Sequence, residues 1–146
     1  MPESFATIEV AEKYYRTVLE PYGDLSDEHW RHLTTHSLKW DDAGKRYAVL
    51  CDPAIAKGFT TPWFYPPLNL WKYWEAIEAP ILVLHGAASD LLSNGMTLDM
   101  RKRNRRASVF RFDDCGHVPP LMAPDQIRVV TDFLMGSMHD SPEMCR

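Results

Sequence analysis

Pro80 followed by Ile81, Leu82, Val83, Leu84 and His85 restricts this chain more than any other stretch. The run is apolar without alternation, and it is closed by Gly86 to Leu92, a loop-like segment. A strand that shows apolar side chains on both faces needs cover on both, which is the situation of a strand in a parallel sheet. A second strand is expected at Val109 to Phe112, and between the two lies a helical stretch opened by Ser93 or Asn94 and running to about Asn104. Pro124-Asp125 opens a last helix with Ile127, Val130, Phe133 and Leu134 on one face. Strand, loop, helix, strand, loop, helix is a βαβα unit.

The first half has a different rhythm. Ile8, Ala11, Tyr15, Val18 and Leu19 share one helical face behind Thr7 as N-cap, and Pro21 and Gly23 stop that helix. Ser26-Asp27-Glu28 opens a second helix through Trp30 and Leu33. Asp41 to Gly44 is expected to be a turn between short strands near Leu38 to Trp40 and Tyr47 to Leu50. Asp52-Pro53 starts a short helix to about Lys57, and Asn69 caps another from Leu70 to Ile77. The expected division is a helical segment with a hairpin over 1–68, a βαβα lobe over 69–136 and a flexible tail over 137–146.

In open α/β sheets functional groups gather at the carboxyl ends of the strands. Asp90 follows the first strand of the lobe and His117 the second. An Asp that accepts the Nδ1 proton of a His fixes its tautomer and leaves Nε2 free to act as general base. Taken singly, an Asp in such a loop is most often a turn residue and a lone loop His is most often structural; the joint placement makes them a candidate pair.

Pro80 to Asp90 resembles the acid-bearing strand and loop of α/β-hydrolases, and Asp113-Asp-Cys-Gly-His117 with Val-Pro-Pro-Leu-Met-Ala-Pro-Asp-Gln after it resembles their histidine loop. The likeness covers about Leu70 to Leu134, and 1–67 resembles the helical cap that members of the family insert before this part. It implies an α/β fold in which this chain is the C-terminal lobe, the last two parallel strands with flanking helices behind a mostly helical cap. It implies catalysis by Asp90 as acid and His117 as base, with no cofactor, on a small-molecule substrate of esterase-like kind. Lyases and haloperoxidases share these loops, so the reaction type stays open. The family nucleophile sits in a G-x-S-x-G elbow. None of the serines at 4, 26, 37, 89, 93, 108, 137 and 141 has that context. The chain alone is therefore expected to be inactive. It would be a shortened reading frame, or one half that assembles with an N-terminal half or a second copy; a non-catalytic interaction module is the alternative.

Other features have plainer readings. Cys51, Cys115 and Cys145 match no zinc spacing and suit free thiols in a reducing cytoplasm. Cys115, two residues from His117, reads as a small filler before a nucleophile. His29, His32 and His36 share a helix face that is more simply solvated than metal-binding, and His85 reads as a strand-end residue. Arg101 to Arg106 ends a helix, where cations complement the dipole. With a formal net charge of −4 no nucleic-acid or membrane partner is expected. The N-terminal residues carry neither a basic nor an apolar targeting region. Trp63, Phe64, Tyr65, Trp71, Tyr73 and Trp74 form an aromatic cluster suited to an apolar pocket or to packing.

Overall fold

The computed structural model of the chain describes residues 2–52, 54–57 and 69–136. They fall into two compact units, one of residues 1–20 and 25–67, the other of residues 21–24 and 68–146. The tail, Cys145 and the aromatic residues Trp63, Phe64 and Tyr65 lie outside the described residues.

The first unit begins with β1 (Ser4–Phe5) and α1 (Ile8–Val18), continues through α2 (Asp27–His36), and closes on the hairpin β2 (Leu38–Asp41) and β3 (Arg46–Val49), with α3 (Ala54–Lys57) after it. Thr7 caps α1 by accepting from the Val10 amide, and Ser26 caps α2 by accepting from the His29 amide. Each side-chain oxygen satisfies an amide that the helix cannot. The apolar face of α1 delivers Ala11 and Tyr15 to a core shared with Phe5 and Leu38, flanked by Tyr14, Leu19, Tyr47 and Val49. Val18, expected on that face, is exposed. The sheet has three strands in the order β1-β3-β2, all antiparallel. The hairpin was legible in the sequence; β1 was not, because two residues are too few to show an alternating pattern.

The second unit holds α4 (Trp71–Glu75), β4 (Ile81–Gly86), α5 (Asn94–Arg103), β5 (Ala107–Phe112) and α6 (Pro124–Leu134). β4 and β5 pair in parallel from Ile81↔Ala107 to Gly86↔Phe112, as the uninterrupted apolar run requires. α5 makes the crossover, capped by Ser93, whose Oγ accepts from the Met96 amide. Asn104 ends α5 and ties it to α4, its side-chain amide donating to the carbonyls of Trp74 and Ile77 at 2.9 Å each. The Trp74 indole donates to the Met100 carbonyl at 2.9 Å. Asn69 Oδ1 accepts from the Trp71 amide, yet the helix it was expected to open spans only Trp71–Glu75. Ile81 to Leu84 are each only partly buried, and β5 is the one strand paired with β4 among the described residues. α6 departs from its expected face: Gln126 is its buried residue, while Ile127 and Leu134 are exposed.

Candidate active site

The site grows from the carboxyl ends of β4 and β5. The two loops there approach more closely than side chains would permit. A Cβ on Gly86 would fall onto the Gly116 carbonyl, and a Cβ on Gly116 would come within 2.7 Å of the Pro21 carbonyl. With both glycines bare, the loops lace together. The Ala87 amide donates to the Phe112 carbonyl at 2.7 Å, the Ala88 amide to the Cys115 carbonyl at 3.1 Å, and the Gly116 amide to the Pro21 carbonyl at 2.6 Å. Residues 21–24 thus brace the histidine loop.

The loop after β4 is pinned at its far end as well. His85 is 2 % exposed and its Nε2–H donates to the Leu92 carbonyl at 2.8 Å. This strand-end histidine is therefore a buried clamp for the segment that carries Asp90. Within the loop the Ser89 amide donates to the Gly86 carbonyl. Ser89 Oγ accepts from the amides of Leu91 at 3.3 Å and Leu92 at 2.9 Å. A hydroxyl that satisfies amides two and three residues ahead holds a turn without a glycine.

Asp90 and His117 thus lie in adjacent, hydrogen-bonded loops at the same end of the parallel pair, and both are exposed. They are not joined to each other. The partner of His117 Nδ1 is Ser89 Oγ, at 2.9 Å, and no hydrogen bond or ion pair links Asp90 to the imidazole among the described residues. The expected carboxylate contact is taken by the residue one position earlier. Ser89 carried a readable signal, a serine at the bend of a βα loop three residues before Leu92, but not the flanking glycines that mark an elbow serine.

Cys115 is 2 % exposed, and burial, with the Asp114 carboxylate adding to it, pushes its thiol above the ordinary cysteine range. A nucleophilic cysteine needs the opposite shift, so the filler reading suits the geometry. His32 and His36 stack at 4.1 Å, and the His36 ring bonds the His32 carbonyl through Nδ1 at 2.8 Å. Among the described residues no cluster of three His, Cys, Asp or Glu side chains could hold a metal ion. The basic run is partly tied down: Arg103 pairs with Glu75 at 2.7 Å and lies over the Trp71 ring at 4.5 Å. An open hollow of about 310 Å³ is lined by Leu98, Arg101, Lys102, Arg105 and Ala107, at the end of the sheet away from Asp90 and His117. No helix among the described residues is long and apolar enough to cross a membrane.

No protein-family model matches the sequence. The chain is 33 % identical over 143 residues to a 3-hydroxybutyrate-oligomer hydrolase of Cupriavidus necator, a match covering 94 % of this chain and 49 % of the relative. Among solved structures, a hydrolase of Rickettsia typhi superposes with a TM-score of 0.76 at 26 % identity, over 92 % of this chain and 44 % of that one. An α/β hydrolase of Novosphingobium aromaticivorans gives 0.76 at 25 % identity, over 90 % and 47 %. An esterase of Mycobacterium tuberculosis gives 0.67 at 18 %, which speaks for the fold alone. The chain spans about half the length of the curated relative it matches. With its mixed helices and parallel strand pair, this chain is a partial α/β-hydrolase fold, corresponding to a C-terminal part of it.

Proposed function

We propose that this chain supplies the acid and base of an α/β-hydrolase active site, with Asp90 as acid and His117 as base of an esterase-like reaction. The observation that carries this reading is the lacing of the two loops at the carboxyl ends of β4 and β5, which puts both residues at one sheet edge. In that role Asp90 accepts the Nδ1 proton of His117, and Nε2 takes the proton of a nucleophile supplied by a further polypeptide segment. The substrate class follows the relative: an ester such as a 3-hydroxybutyrate oligomer, hydrolysed without a cofactor. Without an elbow serine the chain alone has nothing for the pair to activate.

The test combines this chain with the half of the Cupriavidus necator enzyme that it does not cover. The mixture should hydrolyse a p-nitrophenyl ester, and His117→Ala should lower the rate by about 10²–10⁴, the usual worth of a positioned general base. Asp90→Asn should lower it as well. The chain alone should show no turnover above its own His117→Ala control. Activity of the mixture that is indifferent to His117 would remove this reading.

A second reading is favoured by a separate observation. Ile81 to Leu84 remain partly exposed, and β4 pairs on one side alone among the described residues. That edge suits an interaction module that binds a partner chain or a second copy through strand pairing.

A further inference from the structure

The hydroxyl of Ser89 has one proton and two lone pairs. Both lone pairs face donors, the amides of Leu91 and Leu92. What remains is the proton, and the acceptor in reach is His117 Nδ1 at 2.9 Å. A neutral imidazole that accepts at Nδ1 carries its own proton on Nε2. This is the reverse of the tautomer that a histidine base needs, in which Nδ1–H donates to a carboxylate and Nε2 is bare.

We propose that Ser89 is a positioning residue that holds His117 in a resting tautomer, with its proton on Nε2, and that exchange of Ser89 for Asp90 at Nδ1 turns Nε2 into a base. The chemical logic lies in one loop. Consecutive residues carry a hydroxyl that donates to Nδ1 and a carboxylate that accepts from it, so a small shift of the loop reverses the polarity of the contact. The exchange moves one proton within the imidazole, from Nε2 to Nδ1, through solvent, and consumes nothing. Asp90 is exposed and makes no hydrogen bond or ion pair among the described residues, so its carboxylate has no partner among them to give up. Ser89 is a poor candidate for a nucleophile, since both lone pairs that would attack are already engaged. The exchange step rests on the proposed roles of Asp90 and His117; the resting tautomer does not.

Imidazole ¹⁵N spectra of the full chain test this, recorded at about two pH units above the ordinary histidine pKa of roughly 6.5. The His117 signals are identified by their loss in His117→Gln. The expected pattern is a pyridine-type Nδ1 and a pyrrole-type Nε2. Ser89→Ala should shift Nδ1 towards the pyrrole position, Ser89→Thr should restore it, and Asp90→Asn should leave it where it is. A purely structural Ser89 would alter stability and leave the folded ring's tautomer alone. The wild-type pattern is decisive even where Ser89→Ala fails to fold. A pyrrole-type Nδ1 in the wild type would overturn the proposal. If that signal reverted in Asp90→Asn, the acid–base pair would gain support while the Ser89 role fell. A confirmed resting tautomer beside a failed ester assay would leave Ser89 as the holder of a non-catalytic histidine, with the exchange step refuted.

Discussion

Cys115 and His117 sit two positions apart, and the fold treats them oppositely. Cys115 is buried, while His117 is exposed at the sheet edge. Alkylation should therefore divide the thiols. Cys51 is exposed and should react with iodoacetamide at once, whereas Cys115 should be modified at least tenfold more slowly in the native chain. The pH dependence of Cys115 labelling should lie above the value of about 8.5 for a free thiol, because burial disfavours the thiolate. Peptide mapping by mass spectrometry reads both, and native Cys115 labelling as quickly as Cys51 would mean that the histidine loop opens readily. The positions of Asp90 and His117 after their strands were legible because each follows a strand that ends in a recognisable loop. The contact between Ser89 and His117 was not. It depends on which of two neighbouring side chains the turn aims at the imidazole, and spacing along the chain carries no information on aim.

Caps and strands were the most readable features, since Thr7, Ser26 and Ser93 each act through an oxygen that reaches an amide three residues ahead. The continuous apolar run also gave its strand and the parallel sense of its pairing. α6 was legible only in part: spacing puts Ile127 and Leu134 on the covered face, whereas the structure buries Gln126 and exposes both. Periodicity finds a helix but fixes its rotation only where neighbours cover one side. The loop junction offers a sharper test. A methyl on Gly86 has no space, since the Gly116 carbonyl stands where it would go and that carbonyl belongs to backbone. Gly86→Ala should lower stability by about 3 kcal/mol or more, the upper range for overpacking, as measured by urea unfolding. A loss under about 0.5 kcal/mol would show that the two loops separate at little cost.

The second unit leaves much apolar surface uncovered. Ile81 to Leu84 are partly exposed, and Leu91, Leu98 and Leu134 are exposed outright at 75 %, 53 % and 75 %. Fully burying one such side chain is worth about 1.5–3 kcal/mol. We therefore expect the chain to self-associate or to capture a partner half through β4. Size exclusion with light scattering should show species above the monomer mass at micromolar concentration; a sharp monomer peak with a cooperative melt would mean that the two-stranded lobe is self-sufficient. The sequence made this exposure foreseeable, since one neighbouring strand cannot cover a strand that is apolar on both faces. It gave no hint that residues 21–24 would group with residues 68–146. That grouping sets an order of events during synthesis. Gly116 is made about 95 residues after Pro21, which at roughly 5–20 residues per second is some 5–20 seconds. Through that interval the Pro21 carbonyl can bond only water or a substitute donor. The histidine loop is then finished by a piece of chain made some 95 residues before it.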